Sequence, residues 1–259
     1  MNRKFLLIGN SHLACMKVAM DSEPGLLGGR SIDYMAFNEI DAPDFEIAEG
    51  IFQPPANTSA IAADARLREA RVTDYSGFVI VGMGLSINLL ASIYLSHRLL
   101  AHHRQGLHLL SRAAFDSAVA ESILRRGANS IIAKLRAATN VPVLLVPEPL
   151  MNAEIAKDER GADVWTGEHA PFLVEQYIAS LHQVFDPVVD ILEQPPETID
   201  GVFTRVDYAY GGLRSLTKRD KRGNPWRYKE DHRDYRHMNE QYGAIICRRI
   251  EHWLTSQGL

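Results

Sequence analysis

Apolar residues in this chain cluster into short blocks, separated by longer stretches with helical periodicity. The blocks are Phe5–Ile8, Ile32–Phe37, Gly77–Met83 and Val141–Val146, with a weaker one at Gly201–Val206. Apolar runs of this length without alternation suit strands covered on both faces. Between them, Ser59–Arg71 is alanine-rich helix material. Ile87–Leu100 carries apolar residues around most of its circumference, and Ala113–Thr139 is amphipathic with Gly127 offering a break. Ala170–Leu192 holds Pro171 near its first turn, where proline is tolerated. Asn239–Leu254 is amphipathic and closes the sequence. Strands alternating with helices predict a three-layer α/β/α fold around a central parallel sheet of about five strands, flavodoxin-like in type. Right-handed crossovers then place the functional loops at the carboxyl ends of the strands. Pro142, Pro147 and Pro149 frame the fourth strand and predict a rigid loop after it. Residues 1–259 read as a single domain with a basic loop insertion around 207–236.

Composition adds bounds. The 259 residues are 46% hydrophobic and 23% charged, which suits a globular protein with a large core. A net charge of −4 carries no overall signature of nucleic-acid binding. Cys15 and Cys247 each fall in an apolar helical pattern, which predicts buried thiols rather than a disulfide. The apolar run after Arg3 and Lys4 is about five residues, shorter than a signal-peptide core. No stretch approaches the ~20 apolar residues of a membrane helix. The expectation is a cytoplasmic protein without membrane or nucleic-acid partners, its oligomeric state open.

Candidate chemistry lies at the two ends. The first apolar block stops at Gly9 and helix-compatible sequence starts at His12, so Ser11 is expected on a tight strand-to-helix turn. Such a turn exposes a hydroxyl near free helix N–H groups. A serine hydroxyl needs a base to take its proton, and the base needs a partner to fix its tautomer. Asp234-Tyr235-Arg236-His237, before the last helix, offers both.

Gly9-Asn10-Ser11-His12 after the first strand, with Asp234-x-x-His237 followed by Met238-Asn239, resembles the SGNH/GDSL hydrolase superfamily. The commonest first block of that superfamily reads Gly-Asp-Ser-Leu; here Asn10 and His12 replace the aspartate and leucine. The resemblance implies Ser11 as nucleophile, His237 as general base and Asp234 as the orienting carboxylate. It also implies an oxyanion hole made of the nucleophile's N–H, a glycine N–H after the second strand and an asparagine side chain after the third. Each such donor can be worth roughly 3 kcal/mol of barrier. The asparagine would stand at position 84, where this chain has Gly84. The Gly84 N–H, Ser86 or Asn88 are the candidate replacements, with Asn10 beside them. No glycine follows the second block promptly: Ala36 and Asn38 occupy that zone and Gly50 is distant.

Gly82-x-Gly84 lacks the third glycine of a dinucleotide turn, and His102-His103-Arg104 stands where its acid would. His97, His102, His103 and His108 read as a solvated helix end and loop rather than a metal site. Arg214–His237 holds nine Lys/Arg against four acids, a balance of +5 that suits either a substrate-holding loop or a solvated one, with Trp226 and Tyr228 able to stack on a sugar or pin the loop. The expected function is a serine esterase cleaving a small acyl ester, such as an O-acetyl group on a carbohydrate, without metal or organic cofactor. The alternatives are an O-acyltransferase using the same triad and a non-catalytic binding domain on this fold.

Overall fold

The computed structural model describes residues 3–61, 70–157, 162–186, 188–209, 211–218, 220–227 and 234–259. Six strands form the central sheet: β1 (Lys4–Gly9), β2 (Ser31–Ala36), β3 (Ser59–Ile61), β4 (Gly77–Val81), β5 (Val143–Val146) and β6 (Asp190–Ile191). Their spatial order is β6-β5-β4-β1-β2-β3. β3 runs antiparallel at one edge and every other pairing is parallel. The five parallel strands, numbered among themselves, lie in the order 2-1-3-4-5, the flavodoxin-like arrangement.

Side chains alternate across the sheet because successive residues of a strand point to opposite faces. Leu6, Ile8, Phe78, Ile80, Val143 and Leu145 join one core, beneath α2 (Asn88–Tyr94), α3 (Arg112–Leu124), α4 (Gly127–Ala138) and α5 (Ala170–Phe185). Phe5, Leu7, Val79, Val81, Leu144 and Val146 join the other, beneath α1 (Leu13–Ser22) and α6 (Glu240–Ser256). On α6 the buried stripe Tyr242, Ile246, Ile250, Leu254 recurs every four residues, one face of a helix. The result is the expected three-layer α/β/α architecture, with six strands rather than five.

Several elements differ from the sequence-based expectation. Ser59–Ile61 is not helical: it pairs with β2 as edge strand β3, while residues 62–69 of the expected helix lie outside the described residues. Gly201–Val206 does not enter the central sheet; Phe203–Thr204 forms a two-residue hairpin with Ile199–Asp200. The fifth parallel strand is instead β6, which lay inside the expected helix 170–192. That helix stops at Phe185, since Pro187 supplies no N–H to continue it. The expected helix 87–100 ends at Tyr94, and His97–Leu99 pairs with His108–Leu110. The long helix 113–139 is two, with Gly127 opening the second. Among the described residues, no helix is long and apolar enough to cross a membrane. Cys15 and Cys247 are free and buried.

Candidate active site

The reversal of strand order falls between β1 and β4, and ligands of doubly wound sheets bind beside the carboxyl ends of strands at that point. Ser11 sits there. Asn10 and Ser11 form a turn whose carbonyls accept from Leu13 and Ala14 N–H at 3.1 Å each, starting α1. The Asn10 side-chain oxygen accepts from His12 N–H at 3.2 Å and fixes the turn.

His237 reaches this turn from the segment before α6. Its Nε2 lies 2.8 Å from Ser11 Oγ. Its Nδ1 lies 2.9 and 3.0 Å from the two carboxylate oxygens of Asp234. Asp234 Oδ1 also accepts the backbone N–H groups of Arg236 and His237, each at 3.2 Å. The aspartate therefore builds the bend that turns the imidazole back onto it. Both side chains are nearly sealed, at 7% exposure for His237 and 11% for Asp234. Asn239 caps α6, accepting from Gln241 and Tyr242 N–H at 3.0 and 3.3 Å. Gly212 lies against the His237 carbonyl and Cβ where no side chain fits, and Leu213 N–H donates to Met238 carbonyl at 3.1 Å.

The electrostatics favour a neutral base. Burial lowers the His237 pKa below the ordinary histidine value, and the charges of His12 and Arg214 lower it further, against the opposing pull of Asp234. Burial pushes the Asp234 pKa up, but its hydrogen bonds and its attraction to His237 outweigh that and leave it below the usual carboxylate value.

Sequence reasoning missed the group that ties these pieces together. Glu148 follows β5 in the Pro-framed loop, and its side chain is 1% exposed. One carboxylate oxygen accepts from Asn10 Nδ2 and Gly84 N–H, each at 3.2 Å. The other lies 2.5 Å from Arg236 Nη2 and 3.3 Å from His12 Nε2. Burial alone would raise its pKa, yet His12 and Arg236 hold it far below the usual range. The His12 ring stacks on His237 with centroids 4.9 Å apart and planes 12° apart. Asn152, four residues on, donates its amide N–H groups to Asp234 carbonyl at 3.1 Å from the side chain and to Tyr235 carbonyl at 3.0 Å from the backbone. A glutamate inside Pro147-Glu148-Pro149 carries no catalytic signature in sequence; only its burial marks it.

The expected oxyanion donors are arranged differently. Gly82, Met83 and Gly84 are all left-handed, with φ of 72°, 51° and 84°. The space a Cβ on Gly84 would fill is taken by the Glu39 carboxylate. An asparagine there would be strained and would collide with it. The Gly84 N–H and the Asn10 amide are engaged by Glu148. Asn88 donates its side-chain N–H to Met151 Sδ at 3.4 Å and its backbone N–H to Ser86 Oγ at 3.4 Å, so neither residue meets Ser11 or His237 among the described residues. The Ser11 N–H meets no protein acceptor among the described residues, which leaves it available to a developing oxyanion. The Glu39 carboxylate over Gly84 also disfavours a phosphate at that turn. Among the described residues, no group of three or more His, Cys, Asp or Glu is placed to hold a metal ion.

The basic segment divides. Arg227 is bound to both Glu240 oxygens at 2.6 and 2.8 Å and to Gly211 carbonyl at 3.1 Å, so it tethers the loop to α6. Lys218 Nζ lies 4.3 Å from the Trp226 ring centroid. Tyr228 and residues 229–233 lie outside the described residues.

No family model and no curated protein matches the chain. Among solved structures, it is similar to a DUF4886 family protein from Bacteroides uniformis, at 9% sequence identity and a TM-score of 0.43, covering 95% of this chain and 80% of that one.

Proposed function

We propose that this chain is a serine esterase of the SGNH type, cleaving a small acyl ester such as an O-acetyl group on a carbohydrate. The observation that carries the reading is the continuous hydrogen-bonded line from Ser11 Oγ through both nitrogens of His237 to Asp234. In the proposed reaction, Ser11 Oγ attacks the ester carbonyl as its proton passes to His237 Nε2. The tetrahedral oxyanion forms beside the Ser11 N–H. Its collapse breaks the bond to the leaving alcohol, which takes the proton from His237 and leaves an acyl-Ser11. Water, deprotonated by the same nitrogen, attacks the acyl carbonyl and releases the acid. An open groove of about 440 Å³ lined by Glu39, Ile40, Pro43, Arg125, Arg126 and Ser130 adjoins the Gly84 turn through Glu39.

One observation favours a second reading, a non-catalytic binding domain: two of the expected oxyanion donors are turned onto Glu148. A fluorophosphonate probe separates the two. The esterase reading expects labelling of the wild type, loss of labelling in Ser11→Ala, and loss of p-nitrophenyl acetate hydrolysis with the fold intact. An unlabelled, inactive wild type supports the binding domain, and activity persisting in Ser11→Ala removes this serine from the mechanism. Adding sugar acceptors to the same assay distinguishes acyl transfer from hydrolysis.

A further inference from the structure

We infer that Glu148 is a positioning residue that couples the nucleophile turn to the base loop, so that the distance from Ser11 to His237 is set through its buried carboxylate. This inference rests on the esterase reading.

Four residues from three segments distant in sequence converge on one carboxyl group. Asn10 and His12 flank the nucleophile on both sides. Gly84 belongs to the left-handed turn after β4, and Arg236 immediately precedes the base. Ser11 and His237 are thus each held from an adjacent residue, and both holds end on the same carboxylate. The Glu148 backbone is fixed in turn: its N–H donates to Leu85 carbonyl at 2.9 Å, which also accepts the Tyr177 hydroxyl at 2.6 Å. A carboxylate satisfies this position because every neighbour presents a donor. A glutamine would turn an NH2 group toward one pair of those donors. The arrangement also explains why Asn10 and Gly84 do not point at the oxyanion: they orient the turn that carries the nucleophile.

Charge is part of the coupling. His237 is faced by Asp234 from its own segment, by His12 from the nucleophile turn and by Arg214 beside Gly212. Glu148 is faced by His12, Arg236 and, from α5, Tyr177. Removing its negative charge leaves the Arg236 guanidinium without its partner carboxylate beside the base loop and disfavours the imidazolium. The midpoint at which His237 titrates then moves to lower pH.

The test is a mutant cycle in ester hydrolysis with the wild type as control. Glu148→Gln is expected to lower kcat at least tenfold with KM within threefold, and to move the acid limb of the kcat/KM profile to lower pH. Asn10→Ala and Arg236→Gln touch Glu148 from opposite sides. Their effects on kcat are expected to be non-multiplicative by more than threefold, and to become multiplicative when Glu148→Gln is also present. Arg236→Gln keeps the test available if Glu148→Gln does not fold, since the arginine side chain is 46% exposed. Multiplicative single variants, or a Glu148→Gln enzyme with unchanged kcat and pH profile, overturn the inference while leaving the esterase reading standing. An inactive wild type overturns that reading instead. In that case nuclear magnetic resonance titration of the His237 ring decides the coupling: no shift on Glu148→Gln refutes it.

Discussion

Replacing Asp234 by asparagine removes one negative charge and keeps the shape of the bend. In the native site the carboxylate lies 2.9 and 3.0 Å from His237 Nδ1, at 11% exposure. During the reaction His237 becomes an imidazolium, and the charge separation is about 4 Å. At an effective dielectric constant near 20, two unit charges that far apart attract by about 4 kcal/mol. At 1.36 kcal/mol per tenfold, that is a loss of about three orders of magnitude in kcat. Two features guard against a trivial result. The backbone N–H groups of Arg236 and His237 donate to Oδ1 at 3.2 Å, and an asparagine oxygen can still accept them. The amide then presents its NH2 toward Nδ1 and favours the tautomer with its proton on Nε2, facing Ser11, where it cannot act as base. Initial rates of p-nitrophenyl acetate hydrolysis at saturating substrate, with thermal unfolding as the fold control, measure the effect. A folded Asp234→Asn enzyme within tenfold of the wild-type kcat would refute the assignment of Asp234 as orienting carboxylate.

Three further outcomes follow from the same geometry. Because the His237 pKa is lowered, kcat/KM is expected to rise with pH through a midpoint below the ordinary histidine value of roughly 6.5; a midpoint above 7 in a pH–rate profile contradicts a base held neutral by burial. Folding stability is linked to pH in the same sense: both His237 and Asp234 have depressed folded-state pKa values, so each contribution is fully present above its unfolded pKa and is lost as pH falls through the folded one, and denaturant midpoints should decline on acidification. Gly212→Ala places a methyl group against the His237 carbonyl; displacement of the base should lower kcat by about tenfold or more with smaller change in KM, as expected when a catalytic group is misplaced by a fraction of an ångström, and unchanged kinetics would mean that residues 212–213 do not hold the base in place.

The features that sequence made legible are those encoded over short distances. Four of the five predicted apolar blocks became central strands because buried parallel strands need continuous apolar runs. The alternation of strands and helices was enough to anticipate the layered architecture. Ser11, Asp234 and His237 were legible because each stands at a boundary between an apolar pattern and a turn. What escaped was decided by tertiary context. β6 is two residues long and was hidden in a helical pattern that Pro187 ends early. Ser59–Ile61 opens the alanine-rich stretch 59–71 expected as helix, yet it pairs with β2 at the sheet edge, where ladder hydrogen bonds outweigh weak local preference. Asn10 and Gly84, expected as oxyanion donors, both donate to Glu148, a link the sequence does not carry because nothing in it ties position 148 to positions 10, 84 and 236.

That link bears on how such a site is built. A buried carboxylate with four donors is costly to leave unpaired and stable only when all four remain in place. The cost therefore acts as a constraint on geometry: any drift of the Asn10 turn away from the Arg236 segment exposes or orphans part of Glu148. The line from Ser11 to Asp234 runs through side-chain contacts of 2.8 Å to Ser11 and of 2.9 and 3.0 Å to Asp234, and of these the Ser11–His237 contact alone joins segments more than 220 residues apart in sequence. Held by those contacts alone, the pair would depend on the chemistry it is proposed to perform, since the proton shared between Ser11 and His237 moves during the reaction. Glu148 supplies a second link between the same segments that does not change protonation as the base cycles, and it keeps nucleophile and base in register while their own hydrogen bond is broken and remade.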